Sequence, residues 1–182
     1  MRVVLDACVL FPSVLRDILL KIAARGLYEP VWSDRILGEW TRAVVRLGPQ
    51  AVIEAEGDAL RMRAAFPQAL HRARPEIASR LVLPDPDDLH VLAVAVGSGA
   101  DAILTFNASD FPGHVLAAEG IARRDPDGFL WELWSHHPDL VAAAVAEVQA
   151  EAERRAGQPV SLKAMLKRIR LGRLARALTP AG

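Results

Sequence analysis

From Pro84 to Pro112 the chain reads as a capped entry, a buried helix, a glycine stop, a strand and a polar turn. This order restricts the fold more than any other feature. Val91 to Val96 is apolar throughout, so periodicity alone does not separate a strand from a buried helix there. The aspartate-rich start at Asp85, Asp87 and Asp88 and the Gly97-Ser98-Gly99 stop select helix. Asp101 to Phe106 is then a strand, running into the turn TFNASDFP at residues 105 to 112. Near the N-terminus, Arg2-Val3-Val4-Leu5 is a second apolar strand leading straight into Asp6. Ser13 starts a predicted helix through Ala24, with Leu15, Ile18, Leu19, Ile22 and Ala23 on one face and Gly26 as its stop. Strand, helix and strand in this order predict an α/β layer with a parallel sheet and right-handed connections.

The remaining segments fill in around that layer. Ser33 caps a predicted helix whose Ile36, Leu37, Trp40, Ala43, Val44 and Leu47 fit helical spacing, and residues 49 to 73 are expected to be helical, weakened by Gly57 and Pro67. Leu81-Val82-Leu83 is a short strand candidate. After residue 125 helices dominate: Phe129 to Ser135, Leu140 to Arg155, and Leu162 to Ile169 with continuation toward Leu178.

At 182 residues and 52% hydrophobic content, the chain can bury a real core. It has no membrane-length apolar run and no signal-peptide pattern, so a cytoplasmic location without membrane contact is expected. One cysteine, Cys8, makes neither an internal disulfide nor a cysteine-based metal site. The net charge of zero hides an asymmetry. All 22 acidic residues precede residue 160 and six basic residues follow it, which leaves the body six charges negative and the tail six positive. Such a tail suits phosphate, an acidic partner or plain solvent.

Ligands of open parallel sheets bind outside the carboxyl ends of the strands. Asp6 ends the first strand, Asp88 opens the helix after Leu83, and Asp110 follows the strand ending at Phe106. Three carboxylates therefore belong at one sheet edge. Glu39 lies at the border of the apolar stripe of its helix, where an ordinary ion pair with Arg35, Arg42 or Arg46 is the simpler account. Asp87 or Asp88 as a helix cap and Asp110 as a turn residue are the corresponding simple accounts. Asp6 is the hardest to dismiss, because a carboxylate beside a central strand is costly unless solvated, paired or bound to a cation. Converging carboxylates repel and call for a hard divalent cation, Mg²⁺ or Mn²⁺, which serves phosphoryl chemistry.

In VVLDACVLFP, ILGEWTRAV, DPDDLHVLAVAV and TFNASDFP the chain resembles the PIN-domain nucleases, more closely the VapC-type ribonuclease toxins of bacterial toxin–antitoxin pairs, over roughly residues 1 to 135. The resemblance implies a three-layer PIN-like fold, a central parallel sheet flanked by helices. It implies a nuclease domain over 1–135 and a helical extension with a basic tail over 136–182. Asp6, Glu39, Asp88 and Asp110 look like the acidic cluster that holds the metal and carries catalysis, with Thr105 and Asn107 supporting it. Asp88 fits better than Asp87 because Ala95 follows at the family spacing, and Asp87 becomes a second-sphere candidate. Cys8 stands where the family often has Asn or Ser, which puts that supporting hydrogen bond in question. Also implied are an Mg²⁺- or Mn²⁺-dependent endoribonuclease leaving 5′-phosphate and 3′-hydroxyl ends, transfer RNA or another structured RNA as target, a homodimer, and a protein antitoxin.

Lys163, Lys167, Arg168 and Arg170 are candidate contacts to RNA or to a protein partner. A haloacid-dehalogenase-type phosphatase requires a second Asp where Cys8 stands, and a dinucleotide-binding loop requires glycines after a strand, whereas Gly97-Ser98-Gly99 follows a helix. The remaining alternative is a PIN-like scaffold that binds RNA or protein without cutting. His71, His90, His114, His136 and His137 lack metal-ligand spacing beside a nucleophile. Trp32, Trp40, Trp131 and Trp134 read as core or dimer contacts in preference to base-stacking platforms.

Overall fold

The computed structural model describes residues 1–179, so the last three residues of the extension expected over 136–182 lie outside the described residues. In chain order the elements are β1 (Arg2–Leu5), α1 (Ala7–Leu10), α2 (Ser13–Ala24), β2 (Glu29–Val31), α3 (Asp34–Ala43), α4 (Pro49–Ala65), α5 (Pro75–Ala78), α6 (Leu89–Ser98), β3 (Ala102–Leu104), α7 (Gly113–Ala118), β4 (Ala122–Arg124), α8 (Pro126–His136), α9 (Pro138–Ala156), α10 (Leu162–Arg168) and α11 (Gly172–Leu178). Short 3₁₀ turns cover Val44–Leu47 and Pro86–Asp88. No helix among the described residues is long and apolar enough to cross a membrane.

The protein is α/β, with four strands in the order β2-β1-β3-β4, all parallel. Position in the sheet follows composition. β1 and β3 are central, and Val3, Val4, Leu5, Ala102, Ile103 and Leu104 are all buried, as expected of strands covered on both faces. The edges tolerate what the centre would not: β2 contains Pro30, which lacks a ladder donor, and β4 is Ala-Arg-Arg. Leu5 pairs with Leu104, so the chain leaves both central strands at the same level. The next residues, Asp6 and Thr105, therefore emerge side by side. α6 packs on both central strands, buries Val91 to Ala95 completely, and stops at Gly99, whose φ of 64° suits glycine.

Several sequence expectations are corrected. Leu81-Val82-Leu83 is not a strand among the described elements: Leu81 and Leu83 are buried and Val82 exposed, but this alternation has no ladder partner. The helix expected to reach Leu47 loses α geometry at Val44, and the helix expected over 49–73 ends at Ala65 because Phe66 precedes Pro67 and takes a non-helical backbone. Gly57 does not interrupt α4. The helix expected to run from Leu162 toward Leu178 is divided by Arg170, whose φ is 65°.

The chain forms two compact units. One comprises Met1–Phe11 and Tyr28–Arg124 and contains the whole sheet; the other comprises Pro12–Leu27 and the chain from Asp125 onward. In the second, α2 packs on α9, α8 on α9 and α11, and α10 on α11. Lys21 and Arg25 of α2 both pair with Glu147 of α9.

Candidate functional site

Asp6 is buried at the end of β1, where its backbone carbonyl starts α1 by accepting from Val9 and Leu10. Its Oδ2 accepts two hydrogen bonds, from the Thr105 hydroxyl at 2.6 Å and the Cys8 thiol at 3.1 Å. Burial and the Asp6 charge push the Cys8 thiol up to about 12, so it stays protonated and donates. The sulfur in turn accepts from the Phe106 N–H at 3.2 Å. Cys8 thus supplies the bond that its substitution for Asn or Ser had put in question. The carboxylate that looked costly is hydrogen-bonded by side chains from both central strand ends.

The segment Asp85-Pro86-Asp87-Asp88 divides its labour. Asp85 caps the 3₁₀ turn, with Oδ1 accepting from the Asp87 N–H at 2.9 Å. Asp88 opens α6 but makes no side-chain capping bond. Capping therefore does not account for Asp88. Asp85, Asp88 and Asp110 each offer a carboxylate oxygen, and these three oxygens lie within 4.8 Å of one another. Burial first, and then the charges of Asp6, Asp110, Asp85 and Glu39, raise Asp88 to about 6. Four carboxylates thus act on Asp88, and with it they come from four separate stretches of chain.

The TFNASDFP loop orients the third member. Thr105 Oγ1 accepts from the Asn107 N–H at 2.9 Å while donating to Asp6, and Asn107 Nδ2 donates to Asp110 Oδ2. The Ser109 hydroxyl bridges Asn107 Oδ1 and Asp110 Oδ1. Phe111 is fully buried, and Arg123 of β4 donates to the carbonyls of Ala108 and Phe111. The loop is pinned at both ends.

Glu39 stands outside the trio of oxygens. Arg35 donates to it at 3.0 Å, which is the simple ion pair expected for that helix, and buried His90 brings Nε2 to 2.9 Å from Glu39 Oε1 without hydrogen-bonding alignment. Burial holds His90 below its ordinary value and favours the neutral ring. The Asp87 carboxylate is 95% exposed, and it is the Asp87 carbonyl that receives Arg35. From sequence, Asp85 reads only as part of a helix start and His90 only as a histidine without ligand spacing, so neither is among the candidate site residues. The Asp-Pro-Asp-Asp spacing held the signal for Asp85, since a turn cap three residues before Asp88 returns to the same side.

Chemically, three converging carboxylates with two more nearby form an oxygen-only donor set suited to a hard divalent cation, and burial first, with their like charges second, raises Asp88. A family model for the PIN domain matches residues 2–109, a span that includes every carboxylate of this site except Asp110. Comparison with curated proteins and with solved structures finds no match.

Proposed function

The chain belongs to the PIN-domain family, and from that premise we propose that it is a divalent-metal-dependent endoribonuclease in which Asp6, Glu39, Asp88 and Asp110 form the acidic cluster and Asp85 joins them. The observation that carries the reading is the convergence of Asp85, Asp88 and Asp110 beside a buried, doubly hydrogen-bonded Asp6. Asp85, Asp88 and Asp110 would hold Mg²⁺ or Mn²⁺, with Asp6 and Glu39 adding negative charge. The cation supplies a water of lowered pKa and neutralises charge on the phosphodiester.

The protein's own groups have separable tasks. Thr105 and the neutral Cys8 thiol hold Asp6 by its Oδ2. Asn107 and Ser109 hold Asp110, and Arg35 holds Glu39. As an oxygen ligand Asp88 would have to be ionised, so cation binding near pH 6 or below would be accompanied by release of a proton. Exposed Lys163, Lys167, Arg168 and Arg170 fit phosphate contacts on the RNA backbone. The four motifs that resemble VapC-type toxins support a homodimer, a protein antitoxin and a cytoplasmic role, with transfer RNA or another structured RNA as target.

Incubating a small-RNA pool with Mg²⁺ or Mn²⁺ tests the reading. Wild type is expected to leave 5′-phosphate ends, and Asp6→Asn or Asp88→Asn to cut about 100-fold or more slowly, the scale of losing several kcal/mol of charge stabilisation. Equal cleavage by wild type and Asp88→Asn would remove the metal-nuclease reading. Absence of cleavage by all three would favour a non-cutting scaffold.

A further inference from the structure

We propose that the helical unit carries a contact for single-stranded RNA, formed by Trp131 and Trp134 of α8 and Arg173 and Arg176 of α11. The tryptophan faces stack bases and the guanidinium groups meet phosphate. The identity of the nucleic acid rests on the endoribonuclease reading above.

α8 and α11 pack on each other, and each presents an i, i+3 pair to the same concavity of about 350 Å³, which Ala177 completes. The four tryptophans are not equivalent. Trp32 and Trp40 are 0% and 1% exposed, while Trp131 and Trp134 remain partly exposed. Two core indoles are therefore accounted for, and two are left wet beside arginines. The guanidinium carbon of Arg173 lies 4.4 Å from the Trp131 ring centroid, a cation–π contact that holds the charge over an indole face.

The electrostatics select the occupant. None of the five lining residues is acidic, and no acidic residue follows Glu153, so α10 and α11 carry only positive side-chain charge. The nearby Asp127 carboxylate does not line the concavity and is occupied by the backbone N–H groups of Arg173 and Leu174. It anchors the start of α11. Aromatic faces interleaved with arginines match unpaired nucleotides, because every base has a face to stack and every linkage a charge to meet. A duplex hides those faces, which makes the single strand the better fit. The concavity is shallow and open to solvent, so it leaves room for a base to lie against an indole face.

The test uses the full chain carrying Asp88→Asn, so that RNA is not cut, and titrates a single-stranded oligoribonucleotide of about eight nucleotides while following tryptophan fluorescence. Quenching is expected. Trp134→Leu should weaken binding about tenfold, whereas Trp134→Phe, which keeps an aromatic face, should retain most of it. Replacing both arginines, Arg173→Gln with Arg176→Gln, should flatten the salt dependence of log K by about 1.4. Unchanged affinity in Trp134→Leu overturns the proposal, as does an unchanged salt slope in the double arginine variant. A shift in oligomeric state at unchanged RNA affinity also overturns it and makes the surface a contact between copies of the chain. Wild-type cleavage, measured separately with Mg²⁺ or Mn²⁺, keeps the two readings apart. A chain that cuts RNA but whose affinity ignores Trp134 loses only the stacking contact. A chain that binds through Trp134 and never cuts loses only the nuclease.

Discussion

Asp88 carries the site's electrostatic cost, because burial and four neighbouring carboxylates all disfavour its charge. Its folded value near 6 exceeds the ordinary 3.8, so the folded state binds the extra proton between those values. The contribution of Asp88 to stability is then fully present below about 4 and is lost as pH rises through 6. Because Asp88 is partly exposed, solvent screening reduces the effect to about 1 kcal/mol. Asp88→Asn should therefore raise the metal-free Tm at pH 7.5 by about 2–4 °C, an advantage that fades as pH falls from 6 to 4 in melts run with a chelator. Added Mn²⁺ should raise the wild-type Tm and leave that of Asp88→Asn nearly unchanged. At Asp6, Thr105→Val removes a hydroxyl that both donates to the carboxylate and accepts from Asn107, costing about 1–3 kcal/mol. It should also lower cleavage about 10- to 100-fold, as loss of a ligand-orienting group does. Cys8→Ser keeps a donor and should cut better than Cys8→Ala; equal rates would show that the thiol's bond to Asp6 is idle.

Among the elements, α6 was legible because an aspartate entry, an unbroken apolar run and a glycine stop agree over ten residues. The two edge strands were not. β2 contains a proline and β4 two arginines, so neither has the apolar alternation or run by which a strand is recognised. Their pairing energy comes from a preformed neighbour and leaves little trace in three residues. Leu81-Val82-Leu83 shows the converse, with strand-like alternation and no neighbour to pair with. The missed strand β4 supplies Arg123, which holds the loop that positions Asp110. Arg123→Ala should cost about 1 kcal/mol and speed amide exchange across residues 105 to 112 without altering exchange in α6. Unaltered exchange in that loop would mean that Phe111 alone anchors it.

For the molecule as a whole, the compact units do not follow chain order. α2 lies between β1 and β2 in sequence yet packs on α9, and its pairing to Glu147 adds two exposed ion pairs of small individual worth. A chain ending at residue 135 would strip α2 and α8 of the helices they rest on. It is expected to express with lower solubility and a broadened melt relative to the full chain. The charge separation between acidic body and basic tail also acts at this scale. Replacing Lys163, Lys167, Arg168 and Arg170 together with glutamine should weaken RNA binding uniformly across sequences and reduce its salt slope by up to about 3. An unchanged slope would assign those residues to another role.

The sequence by itself determined the α/β class, the central strands, the buried helix between them, and three carboxylates at strand ends, because hydrophobic runs, caps and breakers act over a few neighbouring residues. Only the tertiary structure decided that Asp85 belongs beside Asp88 and Asp110, that Cys8 donates to Asp6, that Asp87 faces solvent, and that two tryptophans meet two arginines outside the core. Those relations join residues from separate parts of the chain. They depend on the register of β1 against β3, on the path of loops, and on which helix packs on which, and such long-range geometry leaves no periodic mark on the residues it brings together.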